Sequence, residues 1–75
     1  MNTKLYVTSD IALAAFLMMK GMKLLSADRE RNGRFRFEFD DTRNQADKFA
    51  VEFVNSESAK FDAHVKNLKN ILFKN

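Results

Sequence analysis

A chain of 75 residues with no cysteine excludes disulfides and thiolate metal sites, and offers enough core for one domain. Hydrophobic residues make up 45%, eight residues are Phe and the net charge is +3, which is too apolar a balance for a disordered chain. Proline is absent and glycine occurs twice, excluding a linker or a low-complexity segment, so a single domain over residues 1–75 is expected.

Leu5, Tyr6 and Val7 read as a short strand. Thr8, Ser9 and Asp10 follow as a helix N-terminus, where a hydroxyl or carboxylate accepts from orphan N–H groups. The helix runs from Ile11 to about Lys20, and Gly21 is its natural left-handed stop. It is apolar nearly all round, so it is expected to be largely buried. Its nine-residue run from Ile11 to Met19 falls short of the ~20 residues that span a bilayer. Asp10 directly before the run, and the absence of a small-x-small cleavage site after it, speak against a signal peptide. The expectation is a cytoplasmic protein with no membrane partner.

Met22 to Arg29 and Arg34 to Asp40 read as a hairpin around Asn32-Gly33. The second strand has a period of two, with Phe35, Phe37 and Phe39 alternating with Arg34, Arg36 and Glu38. A two-residue turn would set Arg31 against Arg34 and Arg29 against Arg36. A three-residue loop, Arg31-Asn32-Gly33 with Gly33 left-handed, instead sets Glu30 against Arg34, Asp28 against Arg36 and Ser26 against Glu38. Ala27 and Leu25 then join Phe37 and Phe39 on the inner face.

Thr42 and Gln45 have the spacing of a capping box. The helix after them carries Ala46, Phe49, Ala50, Phe53 and Val54 as one apolar stripe, and Asn55-Ser56-Glu57-Ser58 interrupts it. A last helix places Phe61, Val65, Leu68 and Leu72 on one face, with Lys66, Lys69 and Lys74 suiting its negative end. The fold expected is α+β, in the order β-α-β-β-α-α, with a small three-stranded sheet and helices packed on one face.

The stretch Thr8 to Leu17 and the segment Lys20-Gly21-Met22-Lys23-Leu24-Leu25 form a "TSD…AA-L…G-K-L" opening. With the F-x-F strand at Phe35 to Phe39 and the close at Leu68 to Phe73, the chain resembles a family of short phage and bacterial proteins of unknown function. The resemblance spans nearly the whole chain. It implies a phage or mobile-element setting in the bacterial host cytoplasm, and no catalytic residue is carried over with it.

Catalysis has little to stand on. The two glycines form no phosphate-cradling motif, and His64 has no hydroxyl nucleophile in a recognisable motif. Glu38, Asp40 and Asp41 read as strand-end and capping charges rather than metal ligands. Neither an enzyme nor a cofactor is expected. The phenylalanines of the F-x-F strand read as core rather than as a base-stacking platform, because alternation puts them opposite the arginines.

Charge is uneven, at a sequence pI near 9.5. Arg29, Arg31, Arg34 and Arg36 cluster at the hairpin, residues 37–58 are acidic, and the tail from Lys60 is basic. The arginine hairpin is one candidate binding site, unless Glu30 and Asp28 occupy Arg34 and Arg36. Lys66, Lys69 and Phe73, on the side of the last helix away from its apolar stripe, are another. The leading expectation is a non-enzymatic interaction module acting on a host or phage protein complex. The alternative is a DNA or RNA binder using the hairpin and the basic helix. A third reading is a homodimer paired through a sheet edge or the outer sheet face.

Overall fold

A computed structural model describes residues 4–73. Its elements are β1 (Leu5–Thr8), α1 (Ile11–Met19), β2 (Lys23–Arg29), β3 (Phe35–Asp40), α2 (Ala46–Val54) and α3 (Glu57–Leu72). The order and the α+β class are those expected. β3 lies between β1 and β2 and is antiparallel to both. The two edge strands therefore run parallel, and α1 carries the chain from one edge to the other, as a crossover between parallel strands requires.

Local chemistry sets the ends of α1. The Asp10 carboxylate accepts from the Ala12 and Leu13 N–H groups at 2.9 and 3.2 Å, and the Thr8 hydroxyl accepts from the Asp10 N–H at 3.1 Å. At the far end Gly21 has φ +93°, with Gly21 N–H bonded to Met18 C=O at 3.0 Å and Met22 N–H to Leu17 C=O at 3.1 Å. This is a Schellman motif, satisfying two orphan carbonyls through one left-handed residue.

The hairpin turns as the charge argument required. Gly33 has φ +84°, Glu30 N–H donates to Arg34 C=O at 2.7 Å, and Gly33 N–H donates to Glu30 C=O at 2.9 Å. Asp28 faces Arg36, Ala27 faces Phe37 and Ser26 faces Glu38. Beyond Ser26 the expectation fails. A β-bulge between Leu24 and Ser26 places Leu24, not Leu25, opposite Phe39. Leu25 is the extra residue and is exposed, because a bulge resets the two-residue alternation. Ala27 keeps its partner Phe37 but is itself exposed.

The core is small. Ala14, Leu17 and Phe39 are its buried centre, with Tyr6, Leu13, Met22, Leu24, Phe37 and Phe49 packed against them. Thus α1 lies on the phenylalanine face of the sheet. α2 and α3 pack mainly on α1 rather than on the sheet. Phe16 and Phe53 meet at a centroid distance of 5.4 Å. Lys20 pairs with Glu52 at 2.8 Å and sits 5.5 Å from the Phe16 ring and 5.8 Å from the Phe49 ring. That aromatic and ionic clasp holds α1 to α2.

Two further expectations are corrected. The cap of α2 comes from Asp41, not from a Thr42–Gln45 box. The buried Asp41 carboxylate accepts from Gln45 and Ala46 N–H at 2.7 and 3.0 Å. Thr42 instead turns back, giving its N–H and its hydroxyl to the Asp40 carboxylate. Asn44, with φ +57°, supplies the left-handed step that lets the carboxylate reach the helix. Nor are the apolar faces of α1 and α3 covered. In α1 just Ala14 and Leu17 are buried, and in α3 no residue is. One layer of helix on a three-stranded sheet leaves the far side of that layer in water.

Candidate interaction surfaces

The first surface is built from those uncovered helix faces. Along α3, Phe61 is 72% exposed, Leu68 58% and Leu72 75%, with Val65 half-buried between them. Ser56 starts the helix cleanly, its hydroxyl accepting from Ala59 N–H at 3.2 Å. The N-terminal half of this stripe forms one wall of a groove. Ala12, Ala15 and Met19 of α1 form the other wall, with Phe16 and Phe53 also lining it. The groove encloses about 510 Å³, and Glu57 and Asp62 stand at its α3 rim. A continuous exposed apolar surface on a small chain is the kind of patch through which proteins contact partners, ligands or membranes.

The second surface is basic. Arg31 lies at the hairpin tip and Arg34 at its end, and among the described residues no carboxylate pairs with them or with Arg29. Arg36 is occupied, but not by Asp28. It binds Glu38 on its own strand, with Nε and Nη2 each 3.0 Å from the carboxylate. The cross-strand pairs drawn from the register therefore exist as Cα neighbours and not as ion pairs. Facing residues allow a contact, and the long arginine side chain takes the carboxylate two residues along on the same face.

Lys66 and Lys69 line a cleft of about 280 Å³ together with Phe35, Asp10 and Asp62. Arg29 sits opposite Phe35 in the ladder, on the same sheet face. The two basic candidates thus approach each other through Arg29 and Phe35, while Arg36 belongs to the outer face. Lys66 is bound to Asp62 at 2.9 Å, and its pKa is raised by that hydrogen bond and by the nearby Asp10 carboxylate. Phe73, at the C-terminal end of α3, is 75% exposed and shares neither cleft.

The acidic residues divide by face. Asp41 turns inward to cap α2, while Glu38 and Asp40 stay on the outer side of β3. Hydrogen bonds from Thr42 hold the Asp40 carboxyl below the usual carboxylate range, with Lys23 adding to the effect. Among the described residues no three His, Asp or Glu side chains gather as a metal-binding group. Burial raises the Tyr6 phenol, and the Asp47, Asp41 and Asp10 carboxylates raise it further. No helix among the described residues is long and apolar enough to cross a membrane.

Residues 3–74 match the family model described as Domain of unknown function (DUF5659). The chain belongs to this family. The match covers every described element, so the bulged hairpin, the Asp41 cap and the open α3 all lie within the family domain. No curated protein and no solved structure matches the chain.

Proposed function

We propose that this chain is a non-enzymatic accessory protein, of phage type, that works as a protein-interaction module on a host or phage complex in the bacterial cytoplasm. The observation that carries the reading is the apolar stripe of α3. A 16-residue helix without a buried residue holds its place poorly for the isolated chain, since helices draw most of their stability from a packed face. Covering that stripe with protein supplies the missing face. The phage setting rests on the likeness of the TSD opening and the F-x-F strand to short phage and bacterial proteins.

The test is a pull-down from nuclease-treated bacterial lysate with the tagged chain and its Phe61→Asp/Leu68→Asp variant. A protein held by the native chain and lost from the variant supports the module. Equal capture by both removes the stripe as its site.

A second reading has its own support. Among the described residues Arg29, Arg31 and Arg34 have no carboxylate partner, and Phe35 lies beside Lys66 and Lys69, an arrangement suited to phosphates and a stacked base. Binding to a single-stranded oligonucleotide would then fall steeply with salt, and Arg31→Ala and Arg34→Ala would each weaken it for every sequence. An affinity indifferent to salt ends this reading.

A further inference from the structure

Building on the interaction reading, we infer that the partner of the α3 face is a second copy of this chain. The α3 helices pair antiparallel, and the C-terminal turn of each copy enters the α1–α3 groove of the other.

The first reason is area. The chain exposes 6129 Å². A compact monomer of 8.7 kDa exposes roughly 4,700 Å². Its Cα radius of gyration is 14.0 Å, against about 11 Å for a compact domain of this length. The excess surface, about 1,400 Å² over the whole chain, is more than the ~800 Å² that each partner contributes to a standard stable interface, so the α3 face and groove need supply only part of it.

The second reason is spacing. Phe61, Val65, Leu68 and Leu72 follow one another at steps of four, three and four, the a/d rhythm of a two-helix seam. The steps read the same from either end. An antiparallel copy therefore sets Phe61 against Leu72 and Val65 against Leu68, closing the seam without a gap. The groove of about 510 Å³ beyond Phe61 then receives the partner's last turn, with Ala12 and Ala15 leaving it room.

The third reason is charge. The N-terminal half of α3 carries Glu57 and Asp62 with Lys60 between them, a net negative charge even though Lys60 and Lys66 reach these acids within the helix. Lys66 and Lys69 follow with no acidic side chain after Asp62. Antiparallel pairing brings the basic half of one helix to the acidic half of the other and opposes their dipoles. Parallel pairing would stack lysine on lysine. The open outer face of the sheet offers a copy much less. There Leu5 and Val7 stand among Lys23, Asp28, Arg36, Glu38 and Asp40.

Sedimentation equilibrium from micromolar to hundreds of micromolar should move the native chain from its monomer mass toward twice that mass. A monomer at every concentration overturns the dimer. Lys66→Glu/Lys69→Glu and Glu57→Lys/Asp62→Lys leave the apolar core intact, with circular dichroism checking the fold. Each should weaken self-association about tenfold, and an equimolar mixture should restore it. A mixture no stronger than its parts overturns the charge-matched pairing.

Direction is read by disulfide trapping, without background because the chain has no cysteine. Phe61→Cys mixed with Leu72→Cys should cross-link between chains. Cross-linking of Leu72→Cys with itself instead would mean a parallel pair and overturn the arrangement. A monomeric chain that still loses a captured protein on Phe61→Asp/Leu68→Asp overturns the dimer and leaves the interaction reading standing. A variant that changes neither self-association nor capture removes both.

Discussion

The sheet with α1 and the helix α3 are both written in strong apolar patterns, yet one is packed and the other is not. Leu17 and Phe39 are 0% exposed, while Phe61 and Leu72 are 72% and 75% exposed. The difference lies in what faces each pattern. β3 has a strand on either side and α1 above it, so Phe39 is enclosed from every direction. α3 touches α1 and α2 along one edge, and its stripe looks outward. An apolar period states that a face needs covering. It does not state that the same chain will cover it.

The largest effect that tests this contrast is at the packed centre. Phe39→Ala should cost about 3–5 kcal/mol, enough to unfold much of a domain this small, as read by urea denaturation. Phe61→Ala, in solutions dilute enough for monomers, should cost less than about 0.5 kcal/mol. Comparable losses at the two sites would erase the distinction between the regions.

Next comes the cap of α2. Asp41→Ala should cost about 1–2 kcal/mol, since it removes two hydrogen bonds and leaves the buried Ala46 N–H unmet. Thr42→Ala should cost much less, because Thr42 serves Asp40 rather than the helix. Equal costs would return the cap to Thr42.

Gly21→Ala should cost about 1–2 kcal/mol through its left-handed φ alone, since no atom lies within 4 Å of an added Cβ. A thermal melt of the variant measures it. An unchanged melt would mean that the Schellman turn relaxes without loss.

The smallest effect is in pH. The Asp40 carboxyl is held low in the folded chain, so its contribution to stability is present above the ordinary carboxylate range. That contribution is lost as pH falls through the folded value. NMR titration of Asp40 should give a depressed midpoint that rises in Thr42→Val. Lys66 has the opposite sign. Its raised pKa contributes below the ordinary lysine value of 10.5, and the contribution is lost as pH rises through the folded value. Both groups lie at the surface, so their effect on stability is slight.

Local chemistry was enough to read much of this protein from its residues. The Asp10 cap, the Gly21 stop and the Gly33 loop each follow from a side chain or φ preference acting within a few residues. The element order follows from periodicity, and the hairpin register as far as Ser26 follows from charge. The residues that needed the whole structure are those whose answer depends on distant neighbours. Leu25 was displaced by a bulge that resets alternation, and Asp41 displaced Thr42 because Asn44 bends the backbone between Asp41 and the first turn of α2. Arg36 chose Glu38 over Asp28 through side-chain reach.

The strand order, with β3 in the centre, and the exposure of α3 were decided by tertiary packing alone. Both depend on how much surface each element finds within reach. A stripe such as Phe61 to Leu72 has the same spacing whether its covering lies in its own chain or in another.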